Sequence, residues 1–215
     1  MVMPVFRVSV GKAALSFFRL DKLRAALQAA APDVSLADAR HWYFAELAAP
    51  LAKDEAALLD RILGLDGAAG EPGRHGVPGT SGSTLVQPLL VVPRLGTISP
   101  WSSKATDIAQ HCALPTISRI ERGVAYYFKT ATGRKLAAAE LQAILPLLHD
   151  RMTESVLHDL DGAAEKIFQH GVPQPLSTVD ILGGGCTALE AANRDMGLAL
   201  SADEIAYLVE NFRKL

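Results

Sequence analysis

A short alternating strand followed by an amphipathic helix occurs twice before residue 64, and the same order recurs after residue 85. A chain built that way needs a sheet with helices packed on it. Phe6, Val8 and Val10 alternate with Arg7 and Ser9, which predicts the first strand. Ser16 is placed to cap a helix with Leu20, Leu23 and Leu27 as its apolar stripe, Leu15 and Leu20 as a hydrophobic staple, and Pro32 beyond its end. A second strand is expected over 41–47, with Trp42 and Phe44 on one face, and a second helix from about Lys53 to Leu63, stopped by Gly64.

The second round predicts a strand from Leu85 to Pro93, in which Pro88 marks an end or a bulge. A helix follows from about Lys104 to Cys112, then a strand from Val124 to Lys129 and an Ala- and Leu-rich helix from about Leu136 to His149. Phe6 stands 36 positions before Trp42, and Leu90 stands 36 before Tyr126. The expected fold class is therefore α+β: a duplicated strand-helix-strand-helix unit forming a pseudo-twofold sheet domain packed with helices, followed by a partly extended helical linker.

Between 64 and 84 glycine, proline and polar residues replace any apolar period, which predicts a long mobile loop holding Arg74 and His75. Past His149 the pattern changes again, so the expected division is 1–148 for the N-terminal domain and 149–215 for the linker. Residues 150–171 read as helical, 172–185 as extended, and 187–196 as a helix ending at Gly197. Ser201 and Glu204 form a capping box ahead of Ile205, Leu208, Val209 and Phe212.

A formal net charge of -2 and a pI near 6.3 argue against nucleic acid as a partner. With no basic leader and no membrane-length apolar run, a cytoplasmic protein is expected. Cys112 and Cys186 stand far apart and belong to no metal-binding spacing.

The stretch from Pro93 to Lys129 carries the densest set of special residues. Pro100 disfavours helix for Ser99, and Ser102 or Ser103 is expected to start the following helix, with Lys104 in its first turn. A cation beside unpaired N–H groups makes an anion cradle. The same residues equally make an ordinary capped helix, with Trp101 on the core and Lys104 in water. Gly183, Gly184 and Gly185 precede a helix but lack the Gly-Lys-Ser/Thr of a phosphate loop, so a hinge is expected. His149, Asp150, Arg151, Glu154 and His158 fall at helical spacings, which solvated faces and local pairs explain more simply than a metal. No catalytic constellation stands out.

The segments ALSFFRLDKL, GTISPWSSKATDIA, RIERGVAYYF, HDRMTESV and LALSADEIAYL together resemble the N-terminal region of large-type phosphoribosylformylglycinamidine synthase, also called formylglycinamide ribonucleotide amidotransferase. The glycine-rich loop looks longer than that family needs. The resemblance implies an ATP- and magnesium-dependent ligase of purine biosynthesis in which glutamine supplies ammonia to formylglycinamide ribonucleotide. It further implies an N-terminal domain similar to a fused pair of small partner subunits, with synthase and glutaminase domains of the same enzyme as partners beyond the linker. On that basis Ser99, Trp101, Ser102, Lys104, Arg119 and Arg122 are expected to face the synthase active site or an interface, and no catalytic or metal-ligating residue is expected in the chain itself. The alternative is a free-standing binding module that assembles separate synthase and glutaminase subunits.

Overall fold

The computed structural model describes residues 5–65, 87–169, 171 and 175–215. The loop expected at 64–84 thus lies outside the described residues, apart from its first two positions. Two compact units are present, Met1–Gly171 and Val172–Leu215.

In the first unit the elements run β1 (Val5–Ala13), α1 (Phe17–Ala30), β2 (Val34–Leu47), α2 (Lys53–Ile62), β3 (Gln87–Pro93), α3 (Pro100–His111), β4 (Ile117–Thr130), α4 (Ala138–Leu148), β5 (Glu154–Leu157) and α5 (Ala163–Ile167). Among the described residues the five strands form one antiparallel sheet in the order β1-β2-β4-β3-β5. The α+β expectation is met at this level. The 36-residue spacing, however, does not match like positions. Trp42 belongs to the apolar cluster on one face of the sheet and Tyr126 to that on the other.

One face carries the four long helices in two groups. Leu27 of α1 and Ile144 and Leu148 of α4 pack over Val34, Leu36, Ala39, Leu89 and Phe128. Leu59 of α2 and Ala109 of α3 pack over Ala45, Leu47, Ile117 and Ile120. The opposite face is covered by α5 and Phe168, which close over Trp42, Phe44, Leu90, Val92, Ala125 and Tyr127. There the Trp42 indole N–H donates to the Tyr127 hydroxyl at 2.9 Å, so a buried polar pair is satisfied internally.

Several boundaries differ from the sequence reading. The second strand begins at Val34 rather than 41, because a bulge lies between Leu36 and Asp38 and breaks the period of two. Arg24 of α1 donates to the carbonyls of Leu36 and Ala37, both at 3.0 Å, and ties the helix to that bulge. The fourth strand begins at Ile117 rather than Val124, so the polar run Ser118 to Gly123 is itself strand. The helix expected at 150–171 shrinks to α5. Glu154–Leu157 instead pairs with β3, carrying the first unit through residues 149–171, which the sequence assigns to the linker.

The caps behave as local chemistry requires. Ser16 accepts from the Arg19 N–H at the start of α1, and Gly64 takes φ +67° just past α2. At α4 the guanidinium of Arg134 grips both oxygens of Glu140 at 2.7 Å, and the Ala137 N–H adds a third bond. The Arg134 bonds first and the Ala137 bond second hold the Glu140 carboxyl at about 2, against an ordinary 4.5. A depressed carboxylate stabilises the fold above its unfolded pKa and loses that contribution as pH falls toward the folded one. Glu140→Gln should therefore lower the thermal midpoint at pH 7 and leave it unchanged near pH 2, as measured by calorimetry across that range.

The second unit is a helix pair, α6 (Ile181–Met196) and α7 (Ala202–Lys214), joined over Leu189, Ile205 and Val209. Ser201 and Glu204 form the expected capping box, with the Glu204 N–H reaching the Ser201 hydroxyl and the carboxylate taking the Ser201 N–H at 2.7 Å. Phe212 leaves the apolar stripe and stands half exposed. The triglycine lies inside α6 rather than ahead of it. The Asp180 carboxylate caps the Gly183 N–H at 2.8 Å, and Gly185 makes the kink with φ +56°.

Candidate functional site

The central segment of the site is α3, and it starts earlier than its serines suggest. Ser99 is the N-cap and Pro100 the first helical residue, where its missing N–H costs nothing. The Ser102 N–H donates to the Ser99 hydroxyl at 3.0 Å, so Ser102 is the capped residue and not the cap.

What α3 lies against explains its polar residues. The β3 ladder on β4 ends at the pair Val91 and Val124, leaving the first half of β4 without that neighbour. Side chains of α3 take over. The Ser102 hydroxyl donates to the Ile120 carbonyl at 2.6 Å, the Ile120 N–H donates to the Thr106 hydroxyl at 2.9 Å, and the Gln110 amide donates to the Ile117 carbonyl at 3.0 Å. These residues recur every four positions, one face of a helix. They satisfy strand backbone that would otherwise be unpaired.

The N-terminus of α3 already holds an anion, and it is internal. Glu121, 1% exposed, accepts from the Ser99 hydroxyl at 2.7 Å, the Arg122 N–H at 3.0 Å and the Arg119 guanidinium at 2.9 Å. Arg119 also donates to the Thr97 carbonyl at 2.8 Å and to the Ser102 hydroxyl at 3.3 Å, and its guanidinium lies 5.3 Å over the Phe168 ring. Ser99, Ser102 and Arg119 are thus committed to a buried network, where a helix N-terminus favours negative charge.

Trp101, Lys104 and Arg122 are brought together elsewhere. With Tyr43, Ala105 and Ile108, and with Ile62 and Leu63 from the end of α2, they line an open groove of about 300 Å³. The Arg122 guanidinium sits 4.7 Å over the Trp101 ring, and the Tyr43 and Trp101 rings are 5.8 Å apart. Beside them is His41, whose Nδ1 is buried without a hydrogen-bond partner among the described residues. Burial, and then the charge of Arg122, push the imidazole below its usual 6.5, so it is neutral at pH 7. The six expected residues form two structures: a closed polar network behind α3 and a cationic, aromatic groove in front of it. Sequence reasoning missed Thr106, Gln110 and His41. A repeat of hydrogen-bonding side chains every four residues in α3 was the available signal for the first two.

Residues 40–168 match the family described as Formylglycinamide ribonucleotide amidotransferase N-terminal. The chain belongs to that family. The matched stretch runs from within β2 to Phe168 and contains the whole α3–β4 assembly and every groove residue named above. The family identity makes this the N-terminal, assembly-related portion of an amidotransferase. Among the described residues no helix is long and apolar enough to cross a membrane.

Proposed function

We propose that this chain is the assembly and channel-facing part of a cytoplasmic enzyme that converts formylglycinamide ribonucleotide to its amidine, using glutamine as ammonia donor and ATP as energy source. The family match over residues 40–168 carries this reading. Among the described residues no three His, Cys, Asp or Glu side chains converge to hold a metal ion. Magnesium and ATP are assigned, on the family resemblance, to the synthase portion and glutamine hydrolysis to the glutaminase portion, with residues beyond the sheet unit serving as the linker toward them. The strand order β1-β2-β4-β3 reads alike from either side of the β2–β4 seam, which supports a fused pair of like halves. The groove end of α3, with Trp101, Lys104 and Arg122, is the surface turned toward the synthase active site. Ser99, Ser102 and Arg119 act behind it by fixing α3 on β4.

The purified chain should turn over neither glutamine nor ATP in the presence of the ribonucleotide. In the full-length enzyme, Lys104→Ala and Arg122→Ala should leave glutaminase chemistry intact while lowering amidine formation, either by raising the ribonucleotide requirement or by uncoupling ammonia transfer. Unchanged rate, substrate dependence and coupling in both variants would remove the groove from the function.

A further inference from the structure

Five arginines of the first unit are partly buried among the described residues: Arg7, Arg24, Arg40, Arg119 and Arg122. Four of them hold a carboxylate, Arg7 that of Asp60, Arg24 that of Asp21, Arg40 that of Asp38 and Arg119 that of Glu121, at 2.7 to 3.3 Å. Arg122 holds none. Its guanidinium rests on Trp101 beside the neutral His41, and Lys104 on the same groove wall also lacks an ion pair among the described residues. A guanidinium drawn partly out of water gains most from an acceptor that meets its planar fork. The apolar lining from Ile62, Leu63, Ala105 and Ile108 adds surface that a hydrocarbon stem would cover.

We propose that the groove is an interaction surface for an acidic peptide segment: a partner's Asp or Glu carboxylate reaches Arg122, with Lys104 at the rim, while an adjacent apolar side chain lies between α2 and α3. A monoanion fits better than a phosphate dianion, because the cost of taking an ion from water grows with the square of its charge and the site is only partly wet. The inference rests on the assembly reading only in taking the remainder of the amidotransferase as the source of that segment. The chemistry of the groove stands without it.

The 215-residue chain is titrated by NMR with three probes: acetyl-Leu-Glu-Leu-amide, acetyl-Leu-Gln-Leu-amide and phenyl phosphate. The Glu peptide should shift the Trp101 indole and Arg122 guanidinium signals saturably and raise the His41 pKa, since a bound carboxylate offsets the Arg122 charge. The Gln peptide should bind about tenfold more weakly, a loss of one charge-assisted bond. Arg122→Gln should abolish the preference for Glu over Gln with the fold intact by circular dichroism. If Arg122→Gln fails to fold, Lys104→Gln should lower Glu-peptide affinity while sparing Gln-peptide affinity. Equal binding of the two peptides, no saturable binding, or tighter binding of phenyl phosphate than of the Glu peptide overturns the proposal. None of these outcomes bears on whether the full-length Lys104→Ala and Arg122→Ala enzymes make amidine, which tests the assembly reading separately.

Discussion

Glu121→Leu is expected to destabilise the protein by about 3 to 5 kcal/mol, the cost of stripping the partner from a buried ion. Arg119 would keep the Thr97 carbonyl and the Ser102 hydroxyl but lose the carboxylate that neutralises it, while the side chains of both residues are at least 87% buried. The Arg122 N–H and the Ser99 hydroxyl would lose their acceptor too, loosening the start of α3. The double variant Arg119→Met with Glu121→Leu should recover much of that loss, because two apolar side chains leave no charge uncompensated. Denaturant unfolding of the two variants decides the matter. A double variant no more stable than Glu121→Leu would show that the network works through shape rather than charge.

Gly123→Ala should cost about 1 to 3 kcal/mol, and Gly123→Val more, through overpacking against backbone. A Cβ at Gly123 would lie 2.8 Å from the Val91 carbonyl oxygen, 2.9 Å from a Val92 methyl and 3.1 Å from a Leu90 methyl. The methyls can turn aside, but the carbonyl belongs to the β3 ladder and cannot move without breaking it. Gly123 also stands opposite Trp42, the largest side chain on that face, and leaves it room. Unfolding measurements should show the loss, with amide exchange accelerated first around Val91 and Val124. Stability equal to the unmodified protein would mean that β3 approaches β4 less closely than the ladder indicates.

The sequence was most legible where one local rule governed each position. The alternation of Phe6, Val8 and Val10, the Ser16 cap, the stripe ending at Leu27 and the Ser201–Glu204 box each follow from neighbours within a turn or a strand, and each is found in place. Boundaries failed where a distant partner decides. The polar run from Ser118 to Arg122 is strand because Arg119 and Glu121 neutralise one another and Ser99 at the start of α3 donates to that pair, which no window of sequence displays. Residues 154–157 look helical in isolation, and pairing with β3 makes them a strand. For the site, Trp101, Lys104 and Arg122 were visible as a cluster of unusual residues. Their separation from Ser99, Ser102 and Arg119 was not, since it depends on which face of α3 meets the sheet.

The bulge in β2 makes strand length a parity problem. Val34 and Leu36 before it and Ala39 after it share the helix-bearing face only because one extra residue, Ala37, is inserted between the pairs Leu36–Phe128 and Asp38–Tyr127. A single-residue deletion at 37 would exchange inside for outside at every strand position before it and turn Val34 and Leu36 away from α1 and α4.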